Sequence, residues 1–280
     1  MIVRLTGAFL RALLIALAIA TPSLLLPEVG ADTAQVVVLV ALAAGAFTFM
    51  EYFSQFPSIL EFRFAPPVNR LRYFTMFAIV LMLTVYFSGA ALDTPIASLL
   101  MKLAALMANA VDFPFSPVRL VVLALPSGTE PEVVEMVRDA AGIAYVMSLL
   151  GLVGFGVLVR IYGWPVRYGA FNVWINLPLF DPTGGGDVLA RLKRDSIVNA
   201  VLGFLLPFLL PALVKLAGAL VDMSAIGNPH TLIWVMTIWA FVPANLIIRG
   251  VALARVADII EEKRRRTYAA ARSEDGLQAV

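Results

Sequence analysis

The chain has 280 residues, 61% hydrophobic and 14% charged, with a formal net charge of +2 and a mean hydropathy of +0.89. A soluble domain is about 45–50% apolar, so the composition predicts an all-α polytopic membrane protein, a transmembrane helical bundle of about six spans plus one outer interfacial or re-entrant helix. With no cysteine and one histidine, His230, disulfides, thiolate nucleophiles, thiolate-held zinc, iron–sulfur clusters and a bis-histidine haem within the chain are excluded, and so small a net charge gives no argument for nucleic acid.

In chain order, the first expected span is 8–27. Arg4 and Arg11 precede an apolar run from Ala12 to Leu26. The run reads as a retained helix or as a signal peptide cleaved near 18–20; Pro22 and the prolonged Leu24–Leu26 stretch favour the retained helix. The second span is 35–52, with Ala41, Ala44, Gly45 and Thr48 forming a small-residue seam for close helix approach. The chain then turns back through 53–73, an amphipathic elbow with Pro57, Pro66, Pro67, Arg63, Arg70 and Arg72. Glu61 is expected to pair with one of these arginines as an exposed pair worth about 0–1 kcal/mol.

The third span, 74–92, carries no ionisable group. Residues 95–111 are apolar with Lys102 in the middle. Were they to cross, the basic segments at 160–196 and beyond 249 would face outward, against the positive-inside rule. They are therefore expected to lie on the outer side. Arg119–Pro126 is a short apolar run beside them. Thr129 and Glu132 fit a capping box opening a helix that becomes the fourth span, 140–162, with Ala141, Ala144, Ser148 and Gly151 as a second seam.

The longest inner loop follows, with Asp181-Pro-Thr-Gly-Gly-Gly-Asp187. It lacks the Gly-Lys-Ser/Thr of a phosphate-binding loop and reads as a turn, with Asp187 capping a short basic helix over 188–195. The fifth span, 197–221, contains the best candidate for an inward, functional face at membrane depth. Asn199, Gly203, Pro207, Pro211 and Lys215 recur every four residues and share one side. Each proline removes a backbone donor, and in lipid the freed carbonyl needs another partner. Lys215 can snorkel to the interface. The sixth span, 231–249, is preceded by His230, read as an interfacial or capping residue. It holds Trp234 for the outer aromatic belt, Pro243 as a kink, and Asn245, which can bond across to a neighbour such as Asn199. One transmembrane domain thus covers 1–250, and a basic tail covers 251–280, its first part a surface helix and its end disordered.

With six spans, every basic residue except Lys102, Arg119, Arg138 and the intrahelical Lys215 falls on one side. That predicts a bacterial inner-membrane protein with both termini cytoplasmic, its basic loops meeting anionic headgroups. No nucleophile, general base or metal cluster marks an enzyme, and no cofactor is expected. The leading expectation is an accessory, assembly or scaffold subunit with a membrane-protein partner or a second copy. The alternative is a small-solute transporter or channel built on Asn199, Pro207, Pro211, Lys215 and Asn245. The phrases EFRFAPPVNR and NLPLFDPTGGGD stand out as distinctive loop motifs without implying an activity.

Overall fold

The computed structural model describes residues 2–27, 29–89, 94–165, 171–181, 185–217 and 227–278. All regular structure among them is helical: α1 Ile2–Leu25, α2 Ala31–Phe53, α3 Val68–Gly89, α4 Pro95–Val111, α5 Pro117–Ala124, α6 Pro131–Arg160, α7 Val173–Asn176, α8 Val188–Leu216 and α9 Pro229–Gln278. Six of these, α1, α2, α3, α6, α8 and α9, are long and apolar enough to cross a membrane. The chain is a multi-pass membrane bundle.

Contacts between helices fix their directions. Tyr73 Oη donates to the Leu14 carbonyl at 3.1 Å and Ser88 Oγ to the Leu25 carbonyl at 2.9 Å, so α1 and α3 run parallel. A Cβ at Gly151 would fall 2.6 Å from Thr75, and Tyr86 Oη donates to Asp139 at 3.3 Å. Thus α6 runs antiparallel to α3. Ser196 Oγ donates to the Gly250 carbonyl at 2.8 Å, so α9 runs antiparallel to α8. Helices α1, α3 and α8 lead from one end of the bundle, here proximal, to the other, distal; α2, α6 and α9 return.

The small-residue seams do what close approach requires. Gly45 faces the Ala12 carbonyl, with its Cβ position 3.3 Å away, and Ala41 is buried. This is the surface by which α2 packs on α1. Its other faces, with Leu39 and Leu42, are exposed to lipid. On α6, Ala141, Ala144, Ser148 and Gly151 are all buried, and a Cβ at Gly142 would meet Ala108 of α4 at 2.5 Å.

Helix α4 stays at the distal end. Its first turn lies against Gly89, where α3 finishes, and Ala108 lies against Gly142, close to the Asp139 that faces Tyr86. Both its ends touch the same half of the bundle, so it lies across that half rather than passing through. Thr94 accepts from Ala97 N at 3.2 Å and Ser116 accepts from Arg119 N at 3.0 Å, capping α4 and α5.

Two cores result. The distal one joins Ile79 and Leu83 of α3, Val118 of α5, Ala140 and Ile143 of α6, and Leu232 and Met236 of α9. The proximal one joins Phe62 of the elbow, Phe155 of α6, Trp164, Leu177, Leu192 of α8, and Leu253 and Val256 of α9.

Several expectations change. Helix α3 starts at Val68, so Arg70 and Arg72 belong to its first turns rather than to the elbow. Helix α8 covers 188–216 without a break at the expected basic segment; Asp187 caps it, accepting from Leu189 N at 3.2 Å. The tail is not disordered through its described part: α9 continues to Gln278, as its Ala-, Glu- and Arg-rich sequence favours. The capping box at Thr129 does not form. The N-cap is Glu130, extended at φ −59°, ψ 139°, because the residue before a proline is disfavoured in helical geometry. Residues 90–92 of the third span, the centre of the glycine motif (182–184), the expected close of the fifth span (218–221) and most of the following outer turn (223–226) lie outside the described residues.

Candidate functional site

The polar face of the fifth span is buried against α9. Asn199, Gly203, Pro207 and Pro211 are all buried, and this is the α8–α9 seam. At Gly203 a Cβ would stand 2.5 Å from the Pro243 carbonyl oxygen and 2.7 Å from Ile247; only glycine allows that approach. Gly250 makes the reciprocal contact with Ser196 and Ala200.

The prolines explain one hydrogen bond across the seam. Residue 211 has no N–H, so the Pro207 carbonyl loses its helical partner. Trp239 Nε1 of α9 donates to that carbonyl at 3.3 Å. A carbonyl at membrane depth is costly when left bare, and the indole supplies the missing donor.

The two asparagines do not bridge. Asn199 Nδ2 donates to the Asp195 carbonyl of its own helix at 2.7 Å. Asn245 Oδ1 is buried with no hydrogen-bond partner among the described residues. Lys215 is exposed on the last turn of α8, and its Nζ donates to the Leu125 carbonyl at the end of α5, at 3.0 Å. A cation there suits the negative end of the helix dipole. His230 N donates to Asn228 Oδ1 at 2.9 Å, and its Nε2 lies 3.1 Å from Ser23 Oγ, joining the distal ends of α9 and α1.

The densest polar assembly lies at the proximal end, where the two distinctive loop motifs meet. Phe62 N donates to the Asn176 carbonyl at 2.7 Å and Phe64 N to Asn176 Oδ1 at 2.9 Å. Trp164 is buried with its Nε1 donating to the Ala65 carbonyl at 3.3 Å. Its ring meets those of Phe62, Phe155 and Phe171 edge-on. Beneath this lid Glu61 forms a two-pronged ion pair with Arg249 of α9, at 2.7 and 2.8 Å. The Glu61 side chain is 7% exposed. The expected exposed pair with an elbow arginine is therefore replaced by a buried pair between distant segments.

The elbow also closes α2. Arg63 donates to the carbonyls of Glu51, Tyr52 (2.7 Å) and Ser54 (2.8 Å), the groups a helix C-terminus leaves unpaired. Arg4 of α1 donates to the same Ser54 carbonyl. Burial, and then the Arg4 guanidinium, lower the hold of Arg63 on its proton. The Glu51 carboxylate turns away and accepts N–H groups from Ser58, Ile59 and Leu60 at 3.0–3.3 Å.

Beyond the bilayer, α8 and α9 continue side by side. Leu192 packs with Leu253 and Val256. Lys193 pairs with Glu261 at 2.7 Å and Asp187 with Arg264 at 2.9 Å. The Arg264 hydrogen bond, then the Leu189 N–H, hold the Asp187 carboxyl below its ordinary range.

Sequence reasoning missed Arg249, Asn176 and Trp164. Only the unusual wording of the two loops pointed toward them. Among the described residues no three His, Cys, Asp or Glu side chains gather as a metal site would require. No family model, curated protein or solved structure matches the chain.

Proposed function

We propose that this chain is a non-catalytic accessory, assembly or scaffold subunit of a bacterial inner-membrane complex, with both termini cytoplasmic. One observation carries the reading. Helix α9 runs through 50 residues, about 75 Å, against a hydrocarbon layer of about 30 Å. Its far part therefore projects from the proximal end as an arm, pinned at its base to α8 by Lys193–Glu261 and Asp187–Arg264. The arm carries the Lys263–Arg266 run, suited to anionic headgroups or an acidic partner. The orientation rests on charge: Arg63, Arg70, Arg72, Arg191, Lys193, Arg194 and that run share the proximal end, and the positive-inside rule makes it cytoplasmic.

The transporter reading has one observation on its side, the unpartnered Asn245 Oδ1, an atom of the kind that solute sites use. Against it, Gly203 is closed on α9 by backbone approach to Pro243, and the Pro207 carbonyl is covered by the Trp239 indole.

Gentle-detergent purification from native membranes separates the two. The subunit reading expects a stoichiometric protein partner that is lost when Lys263 and Arg265 are both changed to Glu. A lone monomer or homo-oligomer, stabilised by an added solute and unaffected by those changes, would overturn it.

A further inference from the structure

We propose that the cleft between α1 and α3 holds one acyl chain of a phospholipid whose phosphate is bound by Arg70. The proposal needs only that the bundle spans a bilayer. It holds whichever side the proximal end faces and whether or not the chain is a subunit.

The cleft has a volume of about 370 Å³, within the range of small-molecule sites. Leu14, Leu17 and Leu24 of α1 form one wall; Tyr73, Phe74 and Phe77 of α3 form the other. Two polar ties bracket it. Tyr73 bonds the Leu14 carbonyl at one end, and Ser88 bonds the Leu25 carbonyl at the other. Between the ties the helices leave room. From Leu14 to Leu25 the cleft runs about 16 Å along α1, the length of an acyl chain that fills half of a roughly 30 Å core.

The aromatic wall is preformed. Tyr73 and Phe77 stack with ring centroids 5.9 Å apart, and Tyr73 meets Phe74 edge-on at 5.6 Å. Of the two hydroxyls in the lining, that of Thr21 is spent on the Leu17 carbonyl at 2.8 Å and that of Tyr73 on the Leu14 carbonyl at 3.1 Å. The cleft therefore offers a hydrocarbon surface with no free donor.

Charge identifies the occupant. Arg70 precedes Tyr73, Phe74 and Phe77 by three, four and seven residues, so it stands on the same stripe of α3. Helical side chains lean toward the N-terminus, which carries Arg70 to the proximal mouth, at headgroup level. Arg70 is exposed and forms no ion pair among the described residues. Of the neighbouring basic groups, Arg72 is turned inward over the Phe62 ring, its Nη1 donating to Asn69 Oδ1 at 3.5 Å and its Nε buried without a partner. Arg11 donates to the Gly7 carbonyl at 2.6 Å and lies over the Tyr52 ring; Arg63 caps α2; Arg249 holds Glu61. Arg70 thus supplies a planar guanidinium, able to take two phosphate oxygens together, at the end of an apolar trough about 16 Å long. A phosphate joined to an acyl chain matches both parts.

Native mass spectrometry of the full chain, purified in mild detergent and titrated with phosphatidylglycerol, tests this. One lipid is expected to remain bound to the parent protein. Arg70→Gln should weaken retention about tenfold or more. Leu17→Trp, which fills the cleft from an exposed position and leaves Arg70 in place, should weaken it similarly. Inorganic phosphate alone should neither bind detectably nor displace the lipid. Equal loss with Arg160→Gln, a proximal arginine away from the cleft, would overturn the proposal as unspecific headgroup attraction. So would phosphate binding that depends on Arg70 but not on Leu17, which marks a free-anion site. Cross-linking of a Leu17→Cys variant to a partner helix, with no lipid retained, would also overturn it.

Discussion

Trp239 and Pro207 are coupled through a missing atom. The indole N–H donates to the carbonyl that Pro211 deprives of its helical partner, so a side chain of α9 completes the backbone of α8. The α8–α9 seam therefore carries a bond that exists because of a proline. Removing the donor leaves a buried carbonyl bare. Trp239→Phe is expected to cost about 1 kcal/mol, typical of polar ties between membrane helices. In a Pro211→Ala background residue 211 regains its N–H and the cost of Trp239→Phe should largely vanish. Thermal unfolding of the four proteins in detergent measures this, and equal costs in both backgrounds would refute the coupling.

A second cycle concerns Glu61 and Arg249. Buried ion pairs add little stability by existing, but breaking one strands a charge and costs about 3–5 kcal/mol. Arg249→Met alone should be strongly destabilising and should loosen the proximal lid, exposing Trp164 to a fluorescence quencher. Adding Glu61→Gln should recover much of the loss. If the two losses simply sum, within about 0.5 kcal/mol, the pair does not act as a unit.

This pair marks where the sequence stopped being legible. Apolar runs announce spans because lipid leaves the backbone few alternatives to helix. Small residues at helical spacing announce seams, as Gly45 and Gly151 did. The need of the freed carbonyls beside Pro207 and Pro211 for new partners was also readable. The partner was not, because no local pattern ties Trp239 to Pro207 or Glu61 to Arg249. The loops containing Glu61 and Asn176 were conspicuous in wording, but their docking depends on how α3 and α6 bring their proximal ends together. Helices α3 and α8 begin before the expected spans for a simpler reason. Polar residues such as Arg70, Arg72 and Arg194 lower hydropathy at turns that are nonetheless helical. Asn199, Gly203, Pro207 and Pro211 share one buried side of α8 while Lys215 is exposed, and α9, which closes that side, lay beyond what spacing can say.

The arm at the proximal end should respond to salt and acid. Asp187 and Glu261 hold it through exposed pairs with Arg264 and Lys193. Raising ionic strength from 0.1 to 1 M shortens the screening length from about 10 to 3 Å. Amide exchange over 258–266 should therefore quicken while the unfolding midpoint of the bundle stays put. The sign with pH follows from Asp187, whose folded carboxyl is held low. Its contribution is fully present above the ordinary carboxylate value of about 3.9 and is lost as pH falls through the depressed one. Protection relative to the intrinsic exchange rate at each pH should be flat from neutrality to about pH 5 and fall below about pH 4. Asp187→Asn with Glu261→Gln, which keeps a capping side chain at 187, should show low protection at every pH. No change in that double variant would mean that Leu192, Leu253 and Val256 hold the arm without help from charge.

The absence of cysteine makes threading directly measurable, because one introduced thiol is the only thiol. Ser127→Cys lies at the distal end between α5 and α6, and Thr267→Cys lies on the proximal arm; both positions are exposed. In intact cells an impermeant maleimide should label the Ser127 variant and reach the Thr267 variant only after the membrane is opened. Helix α4 adds a sharper test. Ser98 and Phe113, near its two ends, are both exposed. Because the contacts with Gly89 and Gly142 keep α4 in the distal half, thiols at 98 and 113 should label from the same side as Ser127. Were α4 a seventh crossing, the thiols at 113 and 127 would be shielded together in intact cells and the thiol at 98 would label with Thr267 instead. The directions of α5, α6, α8 and α9 relative to the membrane would then reverse, and with them the assignment of the basic end to the cytoplasm.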